Sequence, residues 1–131
     1  MTTDITKYGL LKAEMDTAPG ELTELPKTPV RYDTGKTQWD LLPWTALEEV
    51  AKVLEFGAKK YSANNWREGS GFSWGRVFNS TVRHLIAWWN GQDRDPETGL
   101  SHLAHCCCNV LFLLHYSLDK DRFNKDDRTK S

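Results

Sequence analysis

The pattern of apolar and polar positions predicts three helices between about residues 45 and 118. In the first, apolar residues recur three and four positions apart, which is the spacing of one helix face. This stripe consists of Leu47, Val50, Ala51, Leu54 and Ala58. Pro43 precedes it, and Thr45 and Glu48 have the spacing of a capping box, so the helix is expected to begin at Thr45. Gly57 disfavours helix and predicts a bend or an end nearby.

The second predicted helix runs from about Ser73 to Asn90, and Gly91 supplies its stop signal. It carries two adjacent stripes, formed by Phe78, Val82, Leu85 and Trp89 and by Val77, Thr81, His84 and Trp88. So wide an apolar surface is more than a three-helix monomer can cover. We therefore expect a homo-oligomer.

The third predicted helix is capped by Ser101 and reaches about Leu118. Its predicted core stripe is formed by Leu103, Cys107, Val110, Leu111 and Leu114, and another face carries His102, His105, Asn109, Phe112 and Tyr116. Three hydrogen-bonding groups in a row beside an apolar stripe need partners if they are buried, so we expect a ligand there. No strand-like alternation competes, and the fold class is expected to be all-α, a small bundle of three main helices.

The two ends of the chain are expected to lie outside this bundle. Residues 1–30 hold no sustained apolar period and contain Pro19, Gly20, Pro26 and Pro29, which predicts an extended or flexible arm. Residues 119–131 are mostly charged and are expected to form a tail. The predicted helical domain therefore spans residues 31–118, and so short a domain is often completed by oligomerisation.

Charge and cysteine content exclude several classes of function. With 17 basic and 18 acidic residues the net charge is −1, so no nucleic-acid partner is expected. No apolar run approaches the ~20 residues of a membrane span, and the N-terminus has no signal-peptide pattern. The consecutive Cys106, Cys107 and Cys108 suit neither a disulfide nor a zinc site. We expect them to be small buried residues in a reducing compartment, the cytoplasm.

Two short motifs resemble known functional motifs but do not match their full patterns. Gly35-Lys36-Thr37 resembles the end of a phosphate-binding loop, but the leading glycine is missing and no helix follows directly. His102-x-x-His105 lacks the glutamate and the spacing of a metalloprotease helix. What remains is a constellation of polar side chains on or near the predicted helices.

These side chains offer three kinds of chemistry. Carboxylates could hold a divalent cation such as magnesium or manganese, and the candidates are Glu48, Asp93, Asp95 and Glu97. Imidazoles could bind a softer ion or act as a general base, and the candidates are His84, His102 and His105. Lys36, Lys60 and Arg83 could neutralise phosphates, while Trp66 or Trp88 could stack on a base. Simpler roles stay open: Glu48 as a cap, Glu55 paired with Lys59, and His84 as a core histidine.

The runs GKTQWDLLP, FGAKKY and DPETGLSHLAH, together with the final N-x-x-FLL, closely resemble phage proteins of the dATP/dGTP diphosphohydrolase N-terminal domain family. The likeness covers about Arg31 to Tyr116. It implies a more distant kinship with all-α, MazG-like nucleoside-triphosphate pyrophosphohydrolases, which hold magnesium with Glu-x-x-Glu and Glu-x-x-Asp on two helices. Where the second acidic pair would stand, this chain has Cys106 and Asn109.

The resemblance implies a phage enzyme of the host cytoplasm that hydrolyses dATP or dGTP to monophosphate and pyrophosphate. From the constellation of polar side chains, we expect its catalytic residues to be Glu48, His102 and His105, and its metal ligands to be Glu48, Asp93, Asp95 and Glu97. We expect its nucleotide-binding residues to be Lys36, Lys60, Tyr61, Asn65, Trp66, Arg83, His84, Trp88 and Asn109. Two alternatives stay open: a protein that binds and sequesters a host signalling nucleotide without cleaving it, and an oligomeric structural protein.

Overall fold

The computed structural model describes residues 27–129 and divides the chain into two units, Met1–Thr37 and Gln38–Ser131. Most of the predicted N-terminal arm lies outside the described residues. In the first unit, residues 27–37 are exposed and form one turn, in which Lys36 N donates to Asp33 O at 3.1 Å.

The second unit is built from three helices, α1 (Trp44–Lys60), α2 (Trp74–Trp89) and α3 (His102–Ser117). Short 3-10 helices lie at Trp39–Leu41 and Asn65–Arg67. Helix α3 packs against both α2 and α1. Over residues 27–129 there is no strand, only an isolated bridge between Arg94 and Ser101, so the all-α prediction is confirmed. Within the same residues, no helix has both the length and the apolar character needed to cross a membrane.

Helix α1 begins one residue earlier than predicted, and the capping-box prediction is wrong. Pro43 occupies the N-cap position, and no side chain there accepts a hydrogen bond from the helix amides. Instead, the indole Nε1 of Trp44 donates to Trp39 O at 3.2 Å and ties the helix to the preceding turn. The helix also continues past Gly57, because Gly57 O still accepts from Tyr61 N at 2.9 Å.

The ends of α2 and α3 follow their predicted signals. Helix α2 ends at Trp89, and Gly91 then takes a positive φ of 97°, a conformation that glycine adopts without steric cost. Helix α3 is capped by Ser101, whose Oγ accepts from Leu103 N at 3.1 Å and Ala104 N at 3.3 Å. Both predictions are confirmed.

The face that α3 turns inward is the opposite of the predicted one. The residues of the predicted core stripe (Leu103, Cys107, Val110, Leu111, Leu114) are all exposed. The buried residues of α3 are instead His102, Ala104, Cys106, Cys108 and Tyr116. This face packs on α2, where its polar groups find hydrogen-bond partners, and that removes the cost of burying them. The prediction that the cysteines are buried holds for Cys106 and Cys108 but not for Cys107.

Residues 119–129 pack against the bundle rather than forming the predicted tail. Phe123 is only 1 % exposed and joins Trp74, Val77 and Tyr116 in the hydrophobic core. Its neighbour Arg122 donates to two loop carbonyls, those of Arg67 at 2.9 Å and Gly69 at 3.1 Å. Further contacts continue along the segment: Lys125 Nζ donates to Gly71 O, and Gly75 N at the start of α2 donates to the Asp127 carboxylate. Composition alone did not reveal this, because one buried aromatic residue anchors an otherwise charged segment.

Candidate functional site

A cavity of about 990 Å³ opens between the C-terminal half of α1, the following loop, and the facing sides of α2 and α3. Its volume falls in the upper part of the range of small-molecule sites. Most of the predicted site residues line it: Lys60, Tyr61, Asn65, Trp66, Arg83, His84, Asp95, Glu97, His102, His105 and Asn109. The fold therefore gathers side chains from five separate stretches of the sequence.

Three predicted residues of the second unit do not line this cavity. Glu48 is exposed on α1. Asp93 is exposed as well. Its backbone oxygen, rather than its carboxylate, accepts a hydrogen bond from His102 N at 2.9 Å. Trp88 is half-buried, with its ring 6.1 Å from that of Trp89. Lys36 belongs to the first unit, so its phosphate-binding role stays a prediction.

Three histidines form the centre of the site. His102 is 3 % exposed, and its Nε2 lies 2.7 Å from Gln92 Oε1 while its Nδ1 lies 2.8 Å from His84 Nδ1. An amide oxygen only accepts, so Nε2 of His102 is the donor in that bond, and in the neutral tautomer this leaves the lone pair on Nδ1. His84 then donates its Nδ1 proton into that lone pair. The chain of bonds fixes the orientation of both rings.

His105 completes the cluster without joining this chain of bonds. Its ring stacks on that of His84 with centroids 4.4 Å apart, and its Nε2 lies 2.8 Å from Thr98 Oγ1. Burial lowers the pKa of His84, and repulsion from His105 lowers it further. Burial also lowers the pKa of His105, against the opposing attraction of Asp95. Both imidazoles are therefore neutral at pH 7 and able to accept a proton or a cation.

Asp95 is held in place by the loop that joins α2 to α3. Its carboxylate accepts from Thr98 N at 2.9 Å, and its own N donates to Leu100 O at 2.8 Å. Burial acts to raise the pKa of Asp95, but the hydrogen bonds from the Thr98 amide and hydroxyl outweigh it and hold that pKa below its usual value. The ionised carboxylate lies beside the histidines: His84, Asp95 and His102 each offer one ligand atom, all within 4.8 Å of one another.

The predicted magnesium ligands do not converge. Among residues 27–129, the group of histidine, cysteine and acidic side chains close enough to share an ion contains Asp95, but not Glu48, Asp93 or Glu97. Magnesium prefers a shell of oxygen atoms. A set of two imidazole nitrogens and one carboxylate therefore does not fit the predicted magnesium site.

The rim of the cavity carries charges of both signs. Lys60 Nζ lies 2.6 Å from a Glu97 carboxylate oxygen, so an ion pair links the end of α1 to the loop before α3. Arg83 is exposed and, in the part of the chain that the structure describes, forms no ion pair; the same holds for Glu55, whose predicted pairing with Lys59 is not seen. In all, the cations of the lining are Lys60, Arg67 and Arg83, and its carboxylates are Glu55, Asp95 and Glu97. These three positive and three negative charges cancel.

The aromatic wall explains the position of Trp66. Its ring stacks on Phe112 of α3 with centroids 4.2 Å apart and planes 10° apart, and the Arg67 guanidinium lies 5.2 Å from its centroid. Gln92, Thr98 and Phe112 also shape the site, although the sequence predicts no site role for them. Phe112 lies on the face of α3 that the sequence marks as a candidate site, whereas Gln92 and Thr98 give no sequence signal because their roles depend on how the loop folds.

Comparison with known proteins gives the site a family context. The family model described as dATP/dGTP diphosphohydrolase, N-terminal, matches residues 26–128. The chain is also 35 % identical over 101 residues to a dATP/dGTP diphosphohydrolase of Salmonella phage PMBT28, a match that covers 77 % of this chain and 33 % of that protein. The chain thus spans about a third of the length of this curated relative. No solved structure gives a significant match. On the extent of the family match, the chain belongs to the dATP/dGTP diphosphohydrolase N-terminal family.

Proposed function

We propose that the cavity binds a purine deoxynucleoside triphosphate and that the protein hydrolyses it to the monophosphate and pyrophosphate in the cytoplasm of the infected host. The name of the phage relative supports the substrate class. The observation that carries the proposal is a single cavity of about 990 Å³ that combines cations, neutral imidazoles and aromatic rings. A nucleotide needs all three: charge for its phosphates, a base for water, and stacking for its purine.

The phosphates are assigned to Arg83 and Lys60. Arg83 is exposed at the cavity and has no competing ion pair among the described residues. Lys60 is held by Glu97, so an incoming phosphate has to take the place of that carboxylate. The purine is assigned to the loop after α1, where Tyr61 is exposed and Asn65 offers an amide. Trp66 shapes this end of the cavity through its stack on Phe112.

His105 is the proposed general base. When Thr98 Oγ1 accepts from its Nε2, its Nδ1 keeps a lone pair that can take a proton from water. The water oxygen then bonds to the α-phosphorus, and the bond from that phosphorus to the bridging oxygen breaks, so that pyrophosphate leaves. His102, predicted to be catalytic, is buried with both ring nitrogens engaged, so its proposed role is to position His84.

The test is to incubate the purified protein with dATP, dGTP, dCTP and dTTP and to separate the products by chromatography. We expect the two purine nucleotides to give monophosphate and pyrophosphate. His105→Gln should lower the rate by about 10²- to 10⁴-fold. His115→Gln is the matched control, because His115 lies on the same helix but packs on Trp66 and Phe123. Equal activity in both variants would reject His105 as the base.

A second function, sequestration of a nucleotide without cleavage, is favoured by one observation: the acidic residues predicted to hold magnesium do not converge. Heat denaturation of the protein after it has bound dGTP separates the two possibilities. Intact dGTP in the supernatant supports sequestration, whereas dGMP supports hydrolysis. If the protein neither binds nor cleaves dGTP, a structural role is supported.

We also propose that the protein is a homo-oligomer. Three of the four residues of one predicted stripe of α2 are exposed in the single chain: Phe78 is 60 % exposed, Leu85 45 % and Trp89 79 %, while Val82 is partly buried. A second copy of the chain would cover these side chains and gain their burial energy. Light scattering should give a mass above that of one chain, and the Trp89→Glu variant should have the mass of a single chain. A monomer at micromolar concentration contradicts the proposal.

A further inference from the structure

We infer that His84, Asp95 and His102 form a binding site for a divalent transition ion of the manganese, iron, cobalt or zinc class. The three residues come from α2, from the loop that follows it, and from the first position of α3. One ligand atom of each lies within 4.8 Å of the others. Two imidazoles and one carboxylate are a ligand set that such ions prefer and that leaves coordination positions open.

The spacing of the two imidazoles fits one ion. The Nδ1 atoms of His84 and His102 are 2.8 Å apart. At a metal–nitrogen distance of about 2.1 Å, adjacent ligands of an octahedral ion lie about 3.0 Å apart, and those of a tetrahedral ion about 3.4 Å apart. The rings are therefore nearly at the octahedral spacing before any ion arrives. Since His84, Asp95 and His102 all line the cavity, the open positions of the ion would be available to a ligand bound there.

Gln92 holds His102 in the tautomer that metal binding through Nδ1 requires. Its Oε1 accepts the Nε2 proton at 2.7 Å, so that the lone pair of His102 is on Nδ1, the nitrogen nearest His84. Histidines that bind metals usually donate their second N–H to a carbonyl or carboxylate oxygen in this way. His84 has to move its proton from Nδ1 to Nε2, and the ion then takes the place of the proton shared by the two rings. No proton is gained or lost overall.

The charges of the cavity give an independent reason for a cation. Lys60, Arg67 and Arg83 balance Glu55, Asp95 and Glu97, and Lys60 is already paired with Glu97. A polyanionic ligand would enter a cavity with no net positive charge to receive it. An ion at the proposed site supplies two positive charges beside that ligand, as bound cations do in other phosphate sites.

The experiment measures cobalt binding without any nucleotide. The protein is stripped with a chelator and titrated with Co²⁺ by calorimetry and visible absorption, in the presence of a large excess of magnesium. We expect one Co²⁺ per chain, with the weak visible bands of a five- or six-coordinate ion. Failure to bind Co²⁺, or full displacement by magnesium, overturns the inference, as do strong bands from cobalt bound to cysteine sulfur.

Matched variants locate the ion. Asp95→Asn and His84→Gln should weaken Co²⁺ binding at least tenfold, and Gln92→Ala should weaken it about 10- to 100-fold. Asp93→Asn is the control, because Asp93 lies two positions away on the same loop and does not line the cavity. Thermal unfolding by circular dichroism verifies that each variant folds. Equal affinity in Asp95→Asn and Asp93→Asn would place the ion elsewhere and overturn the inference. Because no nucleotide is present, this result is independent of whether the protein hydrolyses one.

Discussion

The inward face of α3 has two ends that differ in chemistry. At its N-terminal end, His102, His105 and Asn109 hydrogen-bond to side chains of α2 and of the loop that follows it, and they border an open cavity. At its C-terminal end, Tyr116 is fully buried against Phe123 and joins the aromatic core. One continuous helix thus serves as a site at one end and as a core at the other.

The two ends should contribute differently to stability. Burying an aromatic side chain removes about 150–250 Å² from water, which is worth about 4–6 kcal/mol at about 25 cal/mol per Å², whereas a hydrogen bond adds only about 0.5–1.5 kcal/mol net. The aromatic end therefore stabilises the fold. At the polar end, His105 and Asn109 are only partly buried and bond to side chains of the neighbouring loop and helix, so they remain within reach of a ligand in the cavity. Substitutions at the two ends should separate stability from binding.

The largest effect is expected for Phe123→Ala. It removes a side chain that is 1 % exposed and leaves a cavity beside Tyr116, so the free energy of unfolding should fall by about 3–5 kcal/mol. Urea denaturation followed by tryptophan fluorescence measures it. The control is Leu118→Ala, because Leu118 is 78 % exposed and its loss should change stability by less than about 0.5 kcal/mol. Similar values for both variants would show that residues 119–129 do not anchor the core.

A smaller loss is expected for Tyr116→Phe. The hydroxyl of Tyr116 donates to Trp66 O and accepts from Phe72 N, so its removal leaves two backbone groups of the loop without their partner. The free energy of unfolding should fall by about 1–3 kcal/mol, as measured by urea denaturation. Tyr61→Phe is the control, since the Tyr61 side chain is 65 % exposed and the loss of its hydroxyl should leave stability unchanged. If Tyr116→Phe has the same free energy of unfolding as the unsubstituted protein, these two hydrogen bonds add nothing to stability.

At the polar end, Lys60→Met should change binding but not stability. Lys60 is exposed and forms a surface ion pair, so the fold does not depend on it. Affinity for a non-hydrolysable dGTP analogue should fall about tenfold through the loss of one charged phosphate contact. Calorimetry measures this, with Lys52→Met as the control, because Lys52 pairs with Glu49 on the same helix and does not line the cavity. Equal losses in both variants would indicate a general charge effect.

The smallest expected effect is on the thiols of α3, whose reaction requires no change in the fold. Cys107 is exposed and should react quickly with a thiol reagent at pH 8. Burial raises the pKa of Cys106 and raises that of Cys108 to about 12, so both should stay protected until the protein unfolds. Absorbance of the released reagent should show one fast equivalent before guanidinium and three after it. A second fast thiol would contradict the inward face described for α3.

The sequence was most informative where a local signal decides the structure. Ser101 caps α3 because its hydroxyl reaches two amides of its own first turn, and Gly91 follows α2 because glycine tolerates a positive φ. These effects depend on a few neighbouring residues. For the same reason the three helices could be predicted, although the cap of α1 was wrong.

The orientation of α3 could not be predicted from that helix alone. Leu103, Val110 and Leu114 are more apolar than His102 and Cys106, so periodicity favours the outward face. His102 can be buried only because His84 and Gln92, from other parts of the chain, satisfy both of its nitrogens. The position of the site on this face was nevertheless predictable, since three polar groups in a row needed partners.

The attachment of the C-terminal segment also has a kinetic consequence. Arg122 and Lys125 are cleavage points for trypsin-like proteases, yet both side chains are bonded to carbonyls of the loop between α1 and α2. A protease can cleave at these two residues only after Phe123 has left the core and the segment has detached. The rate of cleavage at Arg122 and Lys125 is then governed by how often the segment detaches, so that rate reports local opening of the C-terminal segment rather than unfolding of the whole bundle.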